Sequence, residues 1–199
     1  MARFPIRLAI FASGGGSNAE QFFNYFKNSP VARVALVAAN QKEAGVLQRA
    51  ANHSISTFTF SNSTLATEQF VLLKLQEEKI DFIVLAGFLR LIPNYLIEAY
   101  PNRIVNIHPA LLPKWGGKGM YGHHVHQAVK AAGEKESGMT IHYVNQQYDE
   151  GNIIFQAKCP VKPEHTAEEI ATNVLKLEHA HYPRVVEELI KEQFQYPNP

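Results

Sequence analysis

Apolar and polar positions along the chain follow two alternating rhythms. Short, nearly continuous apolar runs bounded by turn residues occur at 7–13 (RLAIFAS), 33–40 (RVALVAAN), 55–60 (ISTFTF), 81–88 (DFIVLAGF) and 103–108 (RIVNIH). Runs of this length without polar alternation read as strands buried on both faces. Between the first two, Ala19, Phe22, Phe23 and Phe26 stand at i, i+3, i+4 and i+7, which is one face of a helix. A short helix is expected over 44–52, another marked by Ala66, Phe70 and Leu73 and ending near Lys79, and a third after Pro93. Buried strands separated by helices predict an α/β fold, Rossmann-like, with a mostly parallel central sheet and helices on both faces.

The rhythm then changes. GMTIHYVN (138–145) and GNIIFQAKCPV (151–161) are strands joined only by QQYDE, so they predict a C-terminal antiparallel strand pair. Ile170, Val174, Leu177, Val185 and Leu189 form the apolar stripe of a final helix, in which Pro183 predicts a kink or break. The tail QYPNP (195–199) is expected to fray.

Composition narrows the function classes. Lys plus Arg (19) nearly balance Asp plus Glu (18), a net charge of +1. That gives no broad pull toward nucleic acid or an anionic membrane, leaving only a local patch open, and no nucleic-acid or membrane partner is expected. Cys159 is the only cysteine, which excludes an intrachain disulfide and a cysteine metal cluster. It suits a reducing, cytoplasmic setting. The N-terminal MARFPIRLAIFAS is too short in its apolar run for a secretory signal, and no run approaches membrane-spanning length. No repeat, low-complexity tract or long linker divides the chain, so 1–199 is read as one domain. Oligomeric state is left open.

The loop SGGGSNAE (13–20) follows the first strand and opens the first helix. Glycines let backbone approach a ligand closely, and helix N-terminal amides favour an anion. Ser17 or Asn18 would cap the helix or bind phosphate oxygens. Gly14, Gly16 and Ala19 also fit the loose dinucleotide pattern G-x-G-x-x-A. That reading wants an acid near the end of the second strand, where this chain has Asn40, Gln41 and Lys42. A single phosphate is therefore favoured over a dinucleotide, with a ligand-free tight turn as the remaining reading.

In NIHPALLPK (106–114), Asn106 and His108 share one strand face, while Ile107 faces the other way. They fall at the carboxyl end of the fifth strand, the edge where open α/β sheets bind ligands. An asparagine amide is an uncharged donor for a developing oxyanion, and a histidine exchanges a proton near neutral pH. Together they suit attack on a carbonyl. With no G-x-S-x-G elbow in the chain, direct transfer between bound substrates is simpler than a covalent acyl-enzyme. The bland alternative is that both side chains merely hydrogen-bond the following loop. His123, His124 and His126 invite a metal reading, but adjacent helix positions share a face poorly and no carboxylate stands at ligand spacing. No metal is expected.

NIHPALLPK resembles the signature of the folate-dependent formyltransferase family, in which an N-x-H pair precedes an LLP loop. ASGGGSN near the start, VLAGFLRLIP in the middle, YDEG and LEHAHYP follow in matching order over nearly the whole chain. The resemblance implies the formyltransferase version of the Rossmann-like fold. It also implies transfer of the formyl group of 10-formyltetrahydrofolate to the amine of 5'-phosphoribosylglycinamide in purine synthesis, through a tetrahedral intermediate. By motif position His108 is the acid/base, Asn106 the oxyanion and formyl ligand, and Asp149 the carboxylate that raises the histidine pKa. Gly16, Ser17 and Asn18 would hold the substrate phosphate, and Glu178 would contact its ribose or neighbouring polar groups. Leu89, Arg90, Leu91 and Ile92 would hold the pterin of the donor partly through backbone groups. Asn145, Gln146, Gln147, Tyr148 and Asp149 would close its other side.

Three features depart from the family pattern. The loop WGGKGMYGHHVH (115–126) is longer and richer in glycine than the common form. Leu175 stands where a lysine or glutamine is usual, and SNSTLATE (61–68) lacks an arginine that some members direct at the folate tail. At 199 residues, neither the extra C-terminal domain of the transfer-RNA-formylating relatives nor the N-terminal domain of the formylfolate hydrolases is expected.

Overall fold

A computed structural model describes residues 4–67 and 69–197. Five strands are parallel neighbours or next neighbours: β1 (Ile6–Ala12), β2 (Ala32–Ala39), β3 (Ser56–Thr59), β4 (Phe82–Leu85) and β5 (Ile104–His108). β6 (Glu136–Tyr143) runs antiparallel to β5, and β7 (Ile153–Pro160) antiparallel to β6. The sheet order is β3-β2-β1-β4-β5-β6-β7. The mostly parallel α/β sheet with an antiparallel C-terminal part is therefore as expected.

Apart from edge strand β3, whose residues are mostly exposed because it has a neighbour on one side only, the apolar runs are continuous because the sheet is covered twice. On β1, Ile6, Leu8, Ile10 and Ala12 enter one core, while Ala9 and Phe11 enter the other. Helices α1 (Ser17–Tyr25), α2 (Gly45–Asn52) and α7 (Ala167–Gln193) cover the first face. Helices α3 (Asn62–Thr67), α4 (Phe70–Glu77) and α5 (Asn94–Ala99) cover the second. Fully burying one large aliphatic or aromatic side chain is worth about 1.5–3 kcal/mol, so this two-sided packing dominates the energetics. Helix α6 (His123–Ala131) packs on α7. Among the described residues no helix is long and apolar enough to cross a membrane.

Two expectations change. The helix expected to end near Lys79 is two short helices, α3 and α4. Pro183 does not break the last helix, which runs through it from Ala167 to Gln193. A helix-interior proline costs roughly 3 kcal/mol. Beyond it, Val185, Val186, Leu189 and Ile190 are buried against the sheet, and Tyr182 beside it donates its hydroxyl to the Leu85 and Val105 carbonyls (3.0 and 3.3 Å). That packing outweighs the lost hydrogen bond. Of the tail 195–199, residues 198 and 199 lie outside the described residues, as do 1–3 and 68. Tyr196 is held by an edge-on contact with Phe4 (4.7 Å between centroids).

β2 and β3 lie to one side of β1, and β4 to the other. The direction in which strands are added to the sheet thus reverses at the boundary between the parallel strands β1 and β4, which opens a crevice at their carboxyl ends. The Ser13 N–H crosses it to the Gly87 carbonyl (3.0 Å).

Candidate active site

The loops after β1, β4 and β5, the β6–β7 connection and one face of α7 surround a cavity of about 740 Å³. Ser17, Asn18, Leu89, Arg90, Leu91, Ile92, Asn106, His108, Gln147, Tyr148, Asp149 and Glu178 all line it. Gly16, Asn145 and Gln146 do not. Gly16 is the residue before α1, with φ +77°, and a Cβ there would meet Val46 atoms at 2.6–2.9 Å. That backbone conformation lets the chain turn into α1. Asn145 is turned onto its own loop, accepting the Gln147 N–H (3.0 Å), and Gln146 is exposed.

Four polar side chains meet at one end. In the β5–β6 register Asn106 faces His142 and His108 faces Thr140, so all four point to one side of the sheet. The β6–β7 connection then brings in Asp149, whose φ of +59° is a left-handed conformation that aspartate tolerates. His142 Nδ1 donates to the Tyr143 carbonyl (2.8 Å), which leaves Nε2 as acceptor for Asn106 Nδ2 (3.1 Å). This contact fixes which end of the Asn106 amide is the donor. The second Asn106 Nδ2 hydrogen has only a long contact, 3.4 Å, to Asp149 Oδ1. It is the hydrogen most easily given to another oxygen.

His108 lies between two acceptors. Nε2 is 2.6 Å from the Trp115 carbonyl, and Nδ1 is 3.4 Å from Asp149 Oδ2, which also accepts the Gly117 N–H at 3.0 Å. Burial lowers the His108 pKa, while Asp149 and the Trp115 carbonyl pull it upward; burial outweighs them and the net direction is down. The expectation that Asp149 raises this pKa therefore holds for the pairwise effect only. Burial also pushes the Asp149 carboxyl up, but His142, His108 and the Gly117 N–H together hold it below its ordinary value. A neutral His108 with its proton on Nε2 turns a lone pair toward a carboxylate. Gaining a proton on Nδ1 converts that contact into an ion pair. The site thus favours charge that develops on the imidazole during a reaction. Any ligand atom that uses Nε2 must displace the Trp115 carbonyl, so loop 109–122 has to yield.

The loop beyond His108 is held from β6 and β7. Thr140 Oγ1 donates to the Ala110 carbonyl (2.7 Å) and accepts the Leu112 N–H (3.0 Å), and Gln156 Nε2 bonds both Thr140 Oγ1 (2.9 Å) and the Leu112 carbonyl (3.0 Å). His142, Thr140 and Gln156 were not singled out from sequence. The available signal was period two: His142 and Thr140 occupy alternate positions of the strand beside Asn106 and His108. Using it requires knowing that β5 and β6 are neighbours, and in which register.

At the other end, the glycine loop exposes donors. The Gly14 carbonyl accepts the Val46 N–H (3.1 Å) and the Gly15 carbonyl accepts Arg49 Nε (2.8 Å). No protein acceptor is found among the described residues for the N–H groups of residues 14–18. Tethered carbonyls and free amides at a helix N-terminus form an anion cradle. Neither Ser17 nor Asn18 caps α1. Asn18 Nδ2 is instead drawn 2.6 Å from Glu178 Oε2, and its Oδ1 is buried without a partner.

Glu178 is 6% exposed, and burial raises its pKa to about 7 despite the Asn18 hydrogen bond. A carboxyl with a raised folded-state pKa costs nothing below its unfolded value near 4.5. It weakens the fold increasingly as pH rises through about 7. Glu178→Gln keeps an acceptor for Asn18 and removes the titration. Relative to wild type, its stability is expected to rise by about 1–3 kcal/mol between pH 5 and pH 8. Thermal melts at the two pH values measure this, and a pH-independent difference would show that Glu178 does not titrate in this range.

The three histidines of α6 diverge. His123 Nε2 is 3.4 Å from Glu168 Oε1, His124 packs edge-on against Tyr121 (5.6 Å), and His126 is buried in the cavity wall with Nδ1 unpartnered. Burial, reinforced by His123 and His108, lowers the His126 pKa to about 4. Leu175, 36% exposed, lines the same wall.

An amide donor, an imidazole and a carboxylate share one cavity with Ser17, Asn18 and Glu178, an arrangement that suits group transfer. The chain belongs to the formyl transferase family, whose pattern matches residues 6–186. Among its relatives, a protein of Arabidopsis thaliana described as phosphoribosylglycinamide formyltransferase, chloroplastic, is 40% identical over 197 residues, 96% of this chain. The phosphoribosylglycinamide formyltransferase of Bacillus subtilis is 37% identical over 189 residues, covering 92% of this chain and 94% of that protein. This chain spans 67% of the Arabidopsis protein and 62% of its counterpart in Vigna unguiculata. The crystal structure of phosphoribosylglycinamide formyltransferase from Bacillus halodurans superposes with a TM-score of 0.84 at 37% identity, covering 94% of this chain and 96% of that one.

Proposed function

We propose that this chain moves the formyl group of 10-formyltetrahydrofolate to the amine of 5'-phosphoribosylglycinamide, with residues 1–199 acting as one formyltransferase domain. The observation that carries the proposal is the meeting of Asn106, His108 and Asp149 in one cavity that Ser17 and Asn18, at the end of the glycine loop, also line. The names of the relatives supply the acceptor and the resemblance supplies the donor. The cradle and Glu178 suit a phosphoribosyl group, with Gly16 shaping the loop and Ser17 and Asn18 facing the ligand. Leu89 to Ile92, with Gln147 and Tyr148, suit a flat ring bearing amide-like edges.

The acceptor nitrogen attacks the formyl carbon, and the carbonyl electrons move onto oxygen. Asn106 Nδ2 donates to that oxygen with the hydrogen it holds only loosely. His108 takes up the proton released by the attacking nitrogen, Asp149 stabilises the imidazolium, and the proton is returned to the departing donor nitrogen as its bond to carbon breaks. The products are the formamide and tetrahydrofolate.

The test is a mixture of protein, formyl donor and acceptor, followed by the absorbance change on formyl loss and by product mass. Acceptor-dependent loss of the formyl group without added nucleotide supports the reading. Donor consumption that ignores the acceptor, or none at all, would refute it.

A further inference from the structure

Behind the cavity wall, three side chains form a hydrogen-bonded series that ends on a cavity-lining backbone group. Asn40 Nδ2 donates to Asn62 Oδ1 (2.8 Å), Ser13 Oγ donates to Asn40 Oδ1 (2.7 Å), and the Leu89 N–H donates to Ser13 Oγ (3.1 Å). Asn40 follows β2 directly and is 8% exposed. It stands where a dinucleotide-binding sheet needs an acid facing outward, but its amide is turned inward and both ends are used.

The segment it reaches is weakly held otherwise. Residues 89–92 belong to no helix or strand. Apart from the Leu89 N–H, none of their backbone N–H or C=O groups has a hydrogen-bond partner among the described residues. Ile92 (2% exposed) anchors one end, and Phe88, packed edge-on to Phe11 (5.4 Å), anchors the other. Between these anchors the Ser13 hydroxyl is the polar contact that sets where the free backbone groups lie. A hydroxyl has one hydrogen and can rotate. Because Asn40 Oδ1 takes that hydrogen, a lone pair of Ser13 Oγ is aimed at the Leu89 N–H. Asn40 Nδ2 is taken up by Asn62 Oδ1, which leaves its Oδ1 for Ser13.

We infer that Asn40 is a positioning residue for the donor-facing backbone of residues 89–92, acting through the Ser13 hydroxyl. The inference rests on the proposal that this segment receives the formyl donor. An aspartate at position 40 could accept from Ser13 but could not donate to Asn62 Oδ1 as the Asn40 amide does.

Steady-state kinetics with each substrate varied tests this. Asn40→Ala and Ser13→Ala are each expected to raise KM for the formyl donor about 5–10-fold, the scale of one lost intramolecular hydrogen bond. KM for the amine acceptor and kcat are expected to stay within about twofold, as remote contacts that bind ground and transition states equally do. Ser13→Thr keeps the hydroxyl and should restore the wild-type donor KM. The Asn40→Ala/Ser13→Ala double variant should be no worse than the worse single one, because both act through one hydrogen bond. Unchanged donor KM, or equal increases for both substrates, would overturn the inference while leaving the proposed reaction intact. Wild-type protein inert toward both substrates would instead sink the functional reading and take this inference with it.

Discussion

Asp149→Asn is expected to slow formyl transfer by ~10²-fold or more, with His108→Ala and Asn106→Ala falling in the same range. Asparagine keeps the size of Asp149 and one oxygen for the Gly117 N–H. It removes the negative charge that lies 3.4 Å from His108 Nδ1 and accepts the long Asn106 contact. The substitution therefore separates charge from shape. It also predicts a pH effect of fixed sign. Asp149 pulls the His108 pKa upward against burial, so without it any rate-controlling ionisation of His108 must move to lower pH. On the stability side, the depressed Asp149 pKa contributes stability that is present above the ordinary carboxylate range and lost as pH falls through the folded value. The variant should accordingly lose stability at pH 7 and converge on wild type in acid. Because the three residues act on one transition state, the His108→Ala/Asp149→Asn double variant should be little slower than His108→Ala alone. Rates within a few fold of wild type in all three single variants would remove these residues from the chemistry.

Gly151→Ala is expected to be the most damaging single-methyl change near the site. A Cβ there would lie 1.7 Å from the Tyr143 carbonyl oxygen and 2.7 Å from its carbon, backbone atoms that cannot rotate aside. That same oxygen accepts His142 Nδ1, the bond that leaves Nε2 free to orient Asn106. Relief requires pushing the β6–β7 connection away from the sheet, and Asp149 travels with it. Overpacking of this kind costs about 3 kcal/mol, which for a chain of this size lowers Tm by roughly 6–12 °C. Turnover should fall even at temperatures where the variant remains folded. Calorimetry paired with the formyl-transfer assay checks both. Wild-type Tm and rate together would mean that the connection moves freely and does not control the Asp149 position.

The contrast between these two sites separates what is local from what is not. Asn106 and His108 were readable because a strand places residues two apart on one face, and the run of buried strands put that face at the ligand-binding edge. Ser17 and Asn18 were legible in the glycine loop that opens the first helix, while Asp149, Glu178 and Leu89 to Ile92 follow only from motif resemblance; all of them line the cavity. Asn145 and Gln146 came from the same motif but are not in its wall, since an Asx hydrogen bond folds Asn145 back onto its loop. Pro183 does not break its helix, because buried neighbours on both sides hold the helix together where the local rule for helix interiors allows a break.

From its residues alone, then, this chain determined its alternation of strands and helices, the two-faced burial of its sheet and the edge that carries Asn106 and His108, because each depends on neighbours within a few positions. Tertiary structure alone decided that His142 stands opposite Asn106, that the Trp115 carbonyl occupies His108 Nε2, that Asn40 turns inward to Ser13 and that Glu178 is buried enough to hold its proton near neutral pH. Apart from the His108–Trp115 contact, which closes a seven-residue loop, those facts join residues far apart in sequence, and they follow from strand register and helix packing that settle only when the whole core assembles.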